Sequence, residues 1–114
     1  GLRYHGMAPI VSALVRDGIV TPKAVHQMEC FEAGVLFAKT EGIIPAPETT
    51  HAIRGAIIEA MKDPKEPKTI LFNFSGHGLI DMASYDNYFN GKLSDYAYPK
   101  EQIEASLARL PKVG

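Results

Sequence analysis

The side chains able to do chemistry gather at Ser75-Gly76-His77-Gly78, the turn that closes the apolar run Thr69-Ile70-Leu71-Phe72-Asn73-Phe74. A hydrolytic serine with its histidine is disfavoured here. Side chains two residues apart in a glycine turn rarely point at each other, and no G-x-S-x-G elbow is present. Neither G-x-G-x-x-G nor a P-loop pattern occurs, so a phosphate cradle is also weak. Two readings remain: a tight turn with a capping serine, or a hydroxyl at a strand end that donates to, or accepts from, one ligand atom. Glu41, just before Gly42, sits at an element end, where function concentrates; taken alone it reads as a solvated helix terminus. His5, His26 and His51 have no metal-binding spacing and Cys30 is isolated, so no zinc site is expected. Cys30 reads as a small buried apolar residue and Asp81 as a helix cap.

These residues need elements to hold them. A run rich in Ile, Leu and Phe suits a strand covered on both faces, as in a parallel sheet. Ligands of such sheets sit beyond the carboxyl ends of the strands, where Ser75 and His77 fall. Helical spacing predicts a helix over 8–17 with Ile10, Val11, Leu14 and Val15 inward, stopped by Asp17-Gly18. Residues 23–27 make at best a short edge strand. A second helix is expected over 28–40, with Phe31, Val35, Leu36 and Ala38 inward and Gly42 as its cap. The connector 41–48 carries two prolines, and Pro47 and Glu48 suit the start of a helix over 47–62. Ala52, Ile53, Ala56, Ile57 and Ala60 form its small-residue stripe. The Pro-rich charged stretch 63–68 is a solvated turn. Helices over 82–90 and 99–110 complete the order, the last with Ile103, Leu107 and Leu110 inward.

The fold class that follows is α/β, part of a three-layer α/β/α sandwich, but with too few strands to be complete. One confident strand and one weak one cannot cover the apolar faces of so many amphipathic helices. Sheet neighbours are therefore expected from a partner chain or from a longer version of this one. The opening GLRYHG, without an initiator Met, points the same way.

Composition excludes several classes. The 114 residues suit one domain with a modest core, and 46% apolar against 22% charged residues is globular. A net charge of −1 gives no electrostatic reason for a nucleic-acid or anionic-membrane partner. No run approaches the roughly 20 apolar residues of a membrane helix. A single cysteine makes the reducing cytoplasm the expected compartment.

GLRYHG at 1–6, TEGIIPAPETTHA at 40–52 and LFNFSGHG at 71–78 together resemble the C-terminal third of the tryptophan synthase beta chain, in its divergent second subgroup. The resemblance covers 1–93 as a segment of that fold and leaves 94–114 as a tail with a surface helix. It implies a pyridoxal-phosphate enzyme that joins indole to L-serine, giving L-tryptophan. Ser75 then matches the serine whose hydroxyl meets the cofactor's pyridine nitrogen; a neutral hydroxyl, unlike a carboxylate, does not favour the protonated ring. Glu41 matches a glutamate beside the ring, Gly76 and Gly78 would let backbone approach it, and carbonyls around Tyr4 and Gly6 match a region that helps bind a monovalent cation.

Two departures stand out. Arg3 replaces an aspartate of common beta chains, which puts alpha-subunit communication in doubt. His77 replaces an arginine, and the resemblance assigns it no role. The cofactor-anchoring lysine, the proton-handling glutamate and the phosphate-binding loop are all expected upstream. This segment alone therefore holds no catalytic residue and is expected to be inactive. Expected partners are the remainder of the beta chain and further copies of the chain. The alternatives are a lyase using serine or phosphoserine without indole, and a non-catalytic binding or assembly module that kept the fold.

Overall fold

The computed structural model describes residues 7–97 and 99–110. Five helices occur among them: α1 (Pro9–Arg16), α2 (Gln27–Glu41), α3 (Thr49–Lys62), α4 (Met82–Phe89) and α5 (Lys100–Leu107). Each lies within two residues of a predicted boundary at its start. Their ends obey ordinary rules. Pro9 occupies the first turn of α1, where its missing N–H is no loss. Gly42 caps α2 in the left-handed conformation, φ 73°, and its N–H donates to the Ala38 carbonyl. Asp81 precedes α4, but its side chain makes no capping bond; the Ser84 N–H instead donates to the Asp81 backbone carbonyl at 2.9 Å.

The core forms where α2 crosses α3 and α4. Cys30, Phe31, Ala33, Ile53 and Tyr85 are its buried apolar residues. Phe31 lies edge-on to Tyr85, with centroids 5.2 Å apart, and stacks on Tyr88 at 5.4 Å. Arg54 of α3 donates to Glu29 of α2 through Nε at 3.1 Å and Nη2 at 2.9 Å, tying the two helices at their rim. Lys23 and Lys62 both pair with Glu59, and these bonds, led by that from Lys23, hold the Glu59 carboxyl down to about 2. The Met28 N–H, at the start of α2, donates to Asp95 Oδ1 at 3.0 Å, so the chain after α4 returns to the helix that begins the core.

The predicted central strand is extended but is not laddered: no β-strand occurs among the described residues, and the weak edge strand at 23–27 is likewise absent. The one β-bridge among the described residues pairs Pro45 with His77, antiparallel. Residues 70–78 nonetheless alternate as a strand does. Ile70, Phe72, Phe74, Gly76 and Gly78 are partly or fully covered, whereas Leu71, Asn73, Ser75 and His77 are exposed. Phe37 of α2 meets Phe72 and Phe74 at 6.0 and 5.6 Å, which covers the inner face. Leu71 on the outer face is 97% exposed. Both-face burial was expected from the unbroken apolar run; the second layer, and the strands that would hydrogen-bond to this one, are not among the described residues.

The same holds for the end helices. No residue of α1 is buried and Ile10 is 72% exposed, and Ile103, Leu107 and Leu110 are exposed as well. Their apolar faces are real sequence features without a surface here to meet. An open apolar groove of about 340 Å³ runs between Leu36 and Phe37 on one side and Ile53, Ile57, Ile70 and Phe72 on the other. Of the small-residue stripe of α3, Ile53, Ala56, Ile57 and Ala60 line this groove, with only Ile53 fully buried. A Cα radius of gyration of 16.7 Å fits this open shape, against about 13 Å for a compact domain of this length.

Candidate functional site

The site begins with the connector that the prolines direct. Two backbone bonds fasten it to the glycine turn: the Ala46 N–H donates to the Gly76 carbonyl and the Gly78 N–H to the Ile44 carbonyl, each at 2.8 Å. Gly78 is required by this pairing, because a Cβ there would stand 2.4 Å from the Pro45 carbonyl oxygen and 2.9 Å from Ile44 Cγ2. At Gly76 a Cβ would meet only Ala46 Cβ, at 3.5 Å, an ordinary contact. The turn is thus held against the start of α3, with Ser75 at its edge.

Pro45 is itself fixed from behind. Tyr85 Oη donates to its carbonyl at 2.6 Å, and Thr50 Oγ1 donates to the Pro47 carbonyl, also at 2.6 Å. Burial, aided by the charge of Asp81, pushes the Tyr85 phenol up from 10.0 to about 12. The folded state therefore favours the protonated phenol. Stability from this group is complete below the unfolded value near 10 and is lost as pH rises toward 12. Urea midpoints measured between pH 9 and 12 are expected to fall across this window, and Tyr85→Phe should flatten that dependence while lowering the midpoint at pH 8. A wild-type slope retained by the Phe variant would count against Tyr85 as the titrating group.

Thr49, the first residue of α3, completes the site. Its hydroxyl, in a residue only 1% exposed, lies 2.9 Å from Ser75 Oγ and 3.2 Å from the Gly76 carbonyl. Ser75 is therefore anchored on its inner side by a buried hydroxyl, while the residue as a whole stays open outward. His77 shares the exposed face, and its Nδ1 accepts the Leu79 N–H at 3.2 Å.

The sequence-predicted residues are placed unevenly. Ser75, Gly76 and Gly78 come together with the connector at 44–46. Glu41 ends α2 three residues before Ile44; its side chain is exposed and makes no hydrogen bond or ion pair with Ser75. Tyr4 and Gly6, with Arg3, lie outside the described residues. No cluster of His, Cys, Asp and Glu that could hold a metal ion occurs among the described residues, and none of their helices is long and apolar enough to cross a membrane. Burial pushes the Cys30 thiol up, in keeping with a packing role. Sequence reasoning missed Thr49 and Tyr85. The pair Thr49-Thr50 directly after Pro47-Glu48 was the available signal, since hydroxyls at a helix start commonly bond to nearby backbone.

The arrangement offers a neutral hydroxyl, pre-set by a buried partner, to one atom of a ligand approaching the open face. Among the described residues no positive side chain bonds to it, an arrangement that suits an uncharged heteroatom better than a phosphate. A search of family models gives no match. Individual relatives are clear, however. The chain is 59% identical over 98 residues to the tryptophan synthase beta chain of Thermococcus gammatolerans, covering 84% of this chain and 22% of that protein. Tryptophan synthase beta chain 2 of Pyrococcus abyssi is 57% identical over 98 residues, with the same coverages of 84% and 22%. That of Aeropyrum pernix is 51% identical over 108 residues, covering 93% of this chain and 24% of the relative. Identity at this level over most of the sequence makes the chain homologous to a part of the tryptophan synthase beta chain, and it spans about a fifth of the length of these relatives.

Proposed function

We propose that this chain forms the pyridine-nitrogen wall of a pyridoxal-phosphate site that makes L-tryptophan from indole and L-serine, and that it is inactive without the remaining polypeptide. The observation that carries this reading is the Ser75 hydroxyl, anchored by Thr49 at the end of an extended segment and open on its other side. Relatives named as tryptophan synthase beta chains support the reaction class. The exposed outer face at Leu71 and Asn73 supports completion by neighbours, which would restore the three-layer α/β/α sandwich around these helices.

Each residue then has a task. The bound cofactor supplies the electron-withdrawing ring that lets the serine β-hydroxyl depart. Ser75 holds the ring nitrogen without placing a negative charge beside it. The turn at Gly76 and Gly78 fixes the height of Ser75 through its two backbone bonds to the connector. Glu41, at the α2 terminus, is assigned an electrostatic or positioning role beside the ring, and Tyr4 and Gly6 the carbonyls of a monovalent-cation site.

The test is Ser75→Asp in the cofactor-loaded enzyme that contains this segment. A carboxylate at that position favours the protonated nitrogen, so the cofactor absorbance should change and product should shift from tryptophan toward deamination of serine. An unchanged spectrum together with an unchanged partition would sink the assignment. Assaying serine with and without indole separates tryptophan formation from a simple serine lyase.

A further inference from the structure

We infer that Tyr85 is a positioning residue that sets the spacing between the turn carrying Ser75 and the helix ending in Glu41; this rests on the assignment of those two residues to the cofactor ring. The Tyr85 hydroxyl is the middle of a close-packed column that runs from α2 to the glycine turn. At one end Gly34 of α2 makes room for it, since a Cβ there would stand 2.9 Å from Tyr85 Oη. In the middle, Tyr85 Oη donates to the Pro45 carbonyl at 2.6 Å. At the other end Gly78 makes room for that carbonyl, since a Cβ there would stand 2.4 Å from the Pro45 oxygen. Helix, hydroxyl, connector and turn are thus stacked in contact, with a glycine closing each end.

Tyr85 is itself held. It is 4% exposed on α4, and its ring lies edge-on to Phe31 of α2. Pro45 has no N–H, so its carbonyl is its one backbone polar group, and the residue is buried. The two bonds that fasten the turn flank it on either side, from Ala46 to Gly76 and from Gly78 to Ile44. Removing the Tyr85 hydroxyl would leave that carbonyl without its donor and open a gap one atom wide between α2 and the connector. The connector could then shift, carrying Gly76, Gly78 and Ser75 with it, while Glu41 stays with α2. Tyr85, without touching the ligand, thus fixes how far apart the two ring-facing groups stand.

The experiment uses the native cofactor-loaded assembly containing this chain and reads amide hydrogen exchange beside the dissociation constant for pyridoxal phosphate. Tyr85→Phe should speed exchange at the Ala46 and Gly78 N–H groups about tenfold relative to the amides of α3, and should raise the dissociation constant about tenfold, the order expected for an orphaned buried carbonyl. Placing 4-aminophenylalanine at Tyr85, which keeps an N–H donor there, should restore both. Ile53→Val is the control for a loosened core, since Ile53 is 3% exposed and makes no bond to the connector; it should move neither readout. Equal changes in Ile53→Val and Tyr85→Phe, or none in Tyr85→Phe, overturn the role of Tyr85, and a Ser75→Ala protein with altered cofactor absorbance then leaves the Ser75 assignment standing. Unaltered absorbance and affinity in Ser75→Ala, or an assembly that takes up no cofactor, overturn both. Should Tyr85→Phe not fold, the wild-type assembly stripped of cofactor decides. Ala46 and Gly78 amides as slow as in the loaded form uphold a spacing set by the fold, and amides slowed only by the cofactor overturn it.

Discussion

Phe31→Ala is expected to lower the unfolding free energy of the helical core by about 3–5 kcal/mol, the usual range for truncating a buried Phe. Phe31 is 2% exposed and touches Tyr85 edge-on and Tyr88 face-on, so the change removes apolar burial and two ring contacts together. The loss spreads to the site, because Tyr85 is the donor that fixes the Pro45 carbonyl and hence the bridge to His77. Urea unfolding followed by helical circular dichroism measures it. Phe89→Ala is the control: Phe89 is 68% exposed, and its truncation should stay within about 0.5 kcal/mol. Equal losses at the two positions would show that the aromatic cluster is not the anchor of α4.

The contrast between these phenylalanines also shows what a sequence can and cannot reveal. Phe31 was assigned inward from its place on a helical stripe, and the structure buries it at the α2, α3 and α4 junction. Local rules sufficed there, since a helix satisfies its own backbone and the left-handed Gly42 marks the end of α2. The segment 69–74 is different. A strand needs a neighbour's backbone, and the described residues supply only the single bridge at Pro45 and His77. Its apolar run led to the expectation of two covered faces, yet among the described residues only the Phe72 and Phe74 face has a partner, Phe37, and Leu71 on the other face is exposed. The inward faces assigned to α1 and α5 failed for the same reason: periodicity identifies an apolar stripe but not what packs on it.

At the site, the glycine turn and Ser75 were legible because residue type and motif coincide there. Thr49 was not. A threonine at a helix start has many local uses, and only the fold of the connector across the turn, with the bonds between Ala46 and Gly76 and between Gly78 and Ile44, brings it to Ser75. Tyr85 was hidden similarly, since its partner Pro45 lies 40 residues earlier in the chain.

Gly34→Ala and Gly55→Ala should change stability in opposite directions, although both replace a mid-helix glycine by the best helix former. Relieving a glycine's backbone entropy favours the folded helix by roughly 0.5–1 kcal/mol, and at Gly55, in α3, a new Cβ meets nothing within 4 Å. Gly55→Ala is therefore expected to be stabilising by that amount. At Gly34, in α2, a Cβ would stand 2.5 Å from Thr50 Cγ2 and 2.9 Å from Tyr85 Oη. Neither atom can retreat cheaply: Thr50 is held to the Pro47 carbonyl and Tyr85 to that of Pro45, both at 2.6 Å, and both residues are buried. Overpacking of this kind costs about 1–3 kcal/mol, enough to outweigh the helix gain. The site should register it too, because the displaced groups hold the connector on which Gly76 and Gly78 pair. Urea midpoints of the two variants measured side by side check the signs. A stabilised Gly34→Ala protein would mean that α2 and α3 separate freely at this contact, and that Tyr85 and Thr50 do not clamp the connector as tightly as their bonds imply.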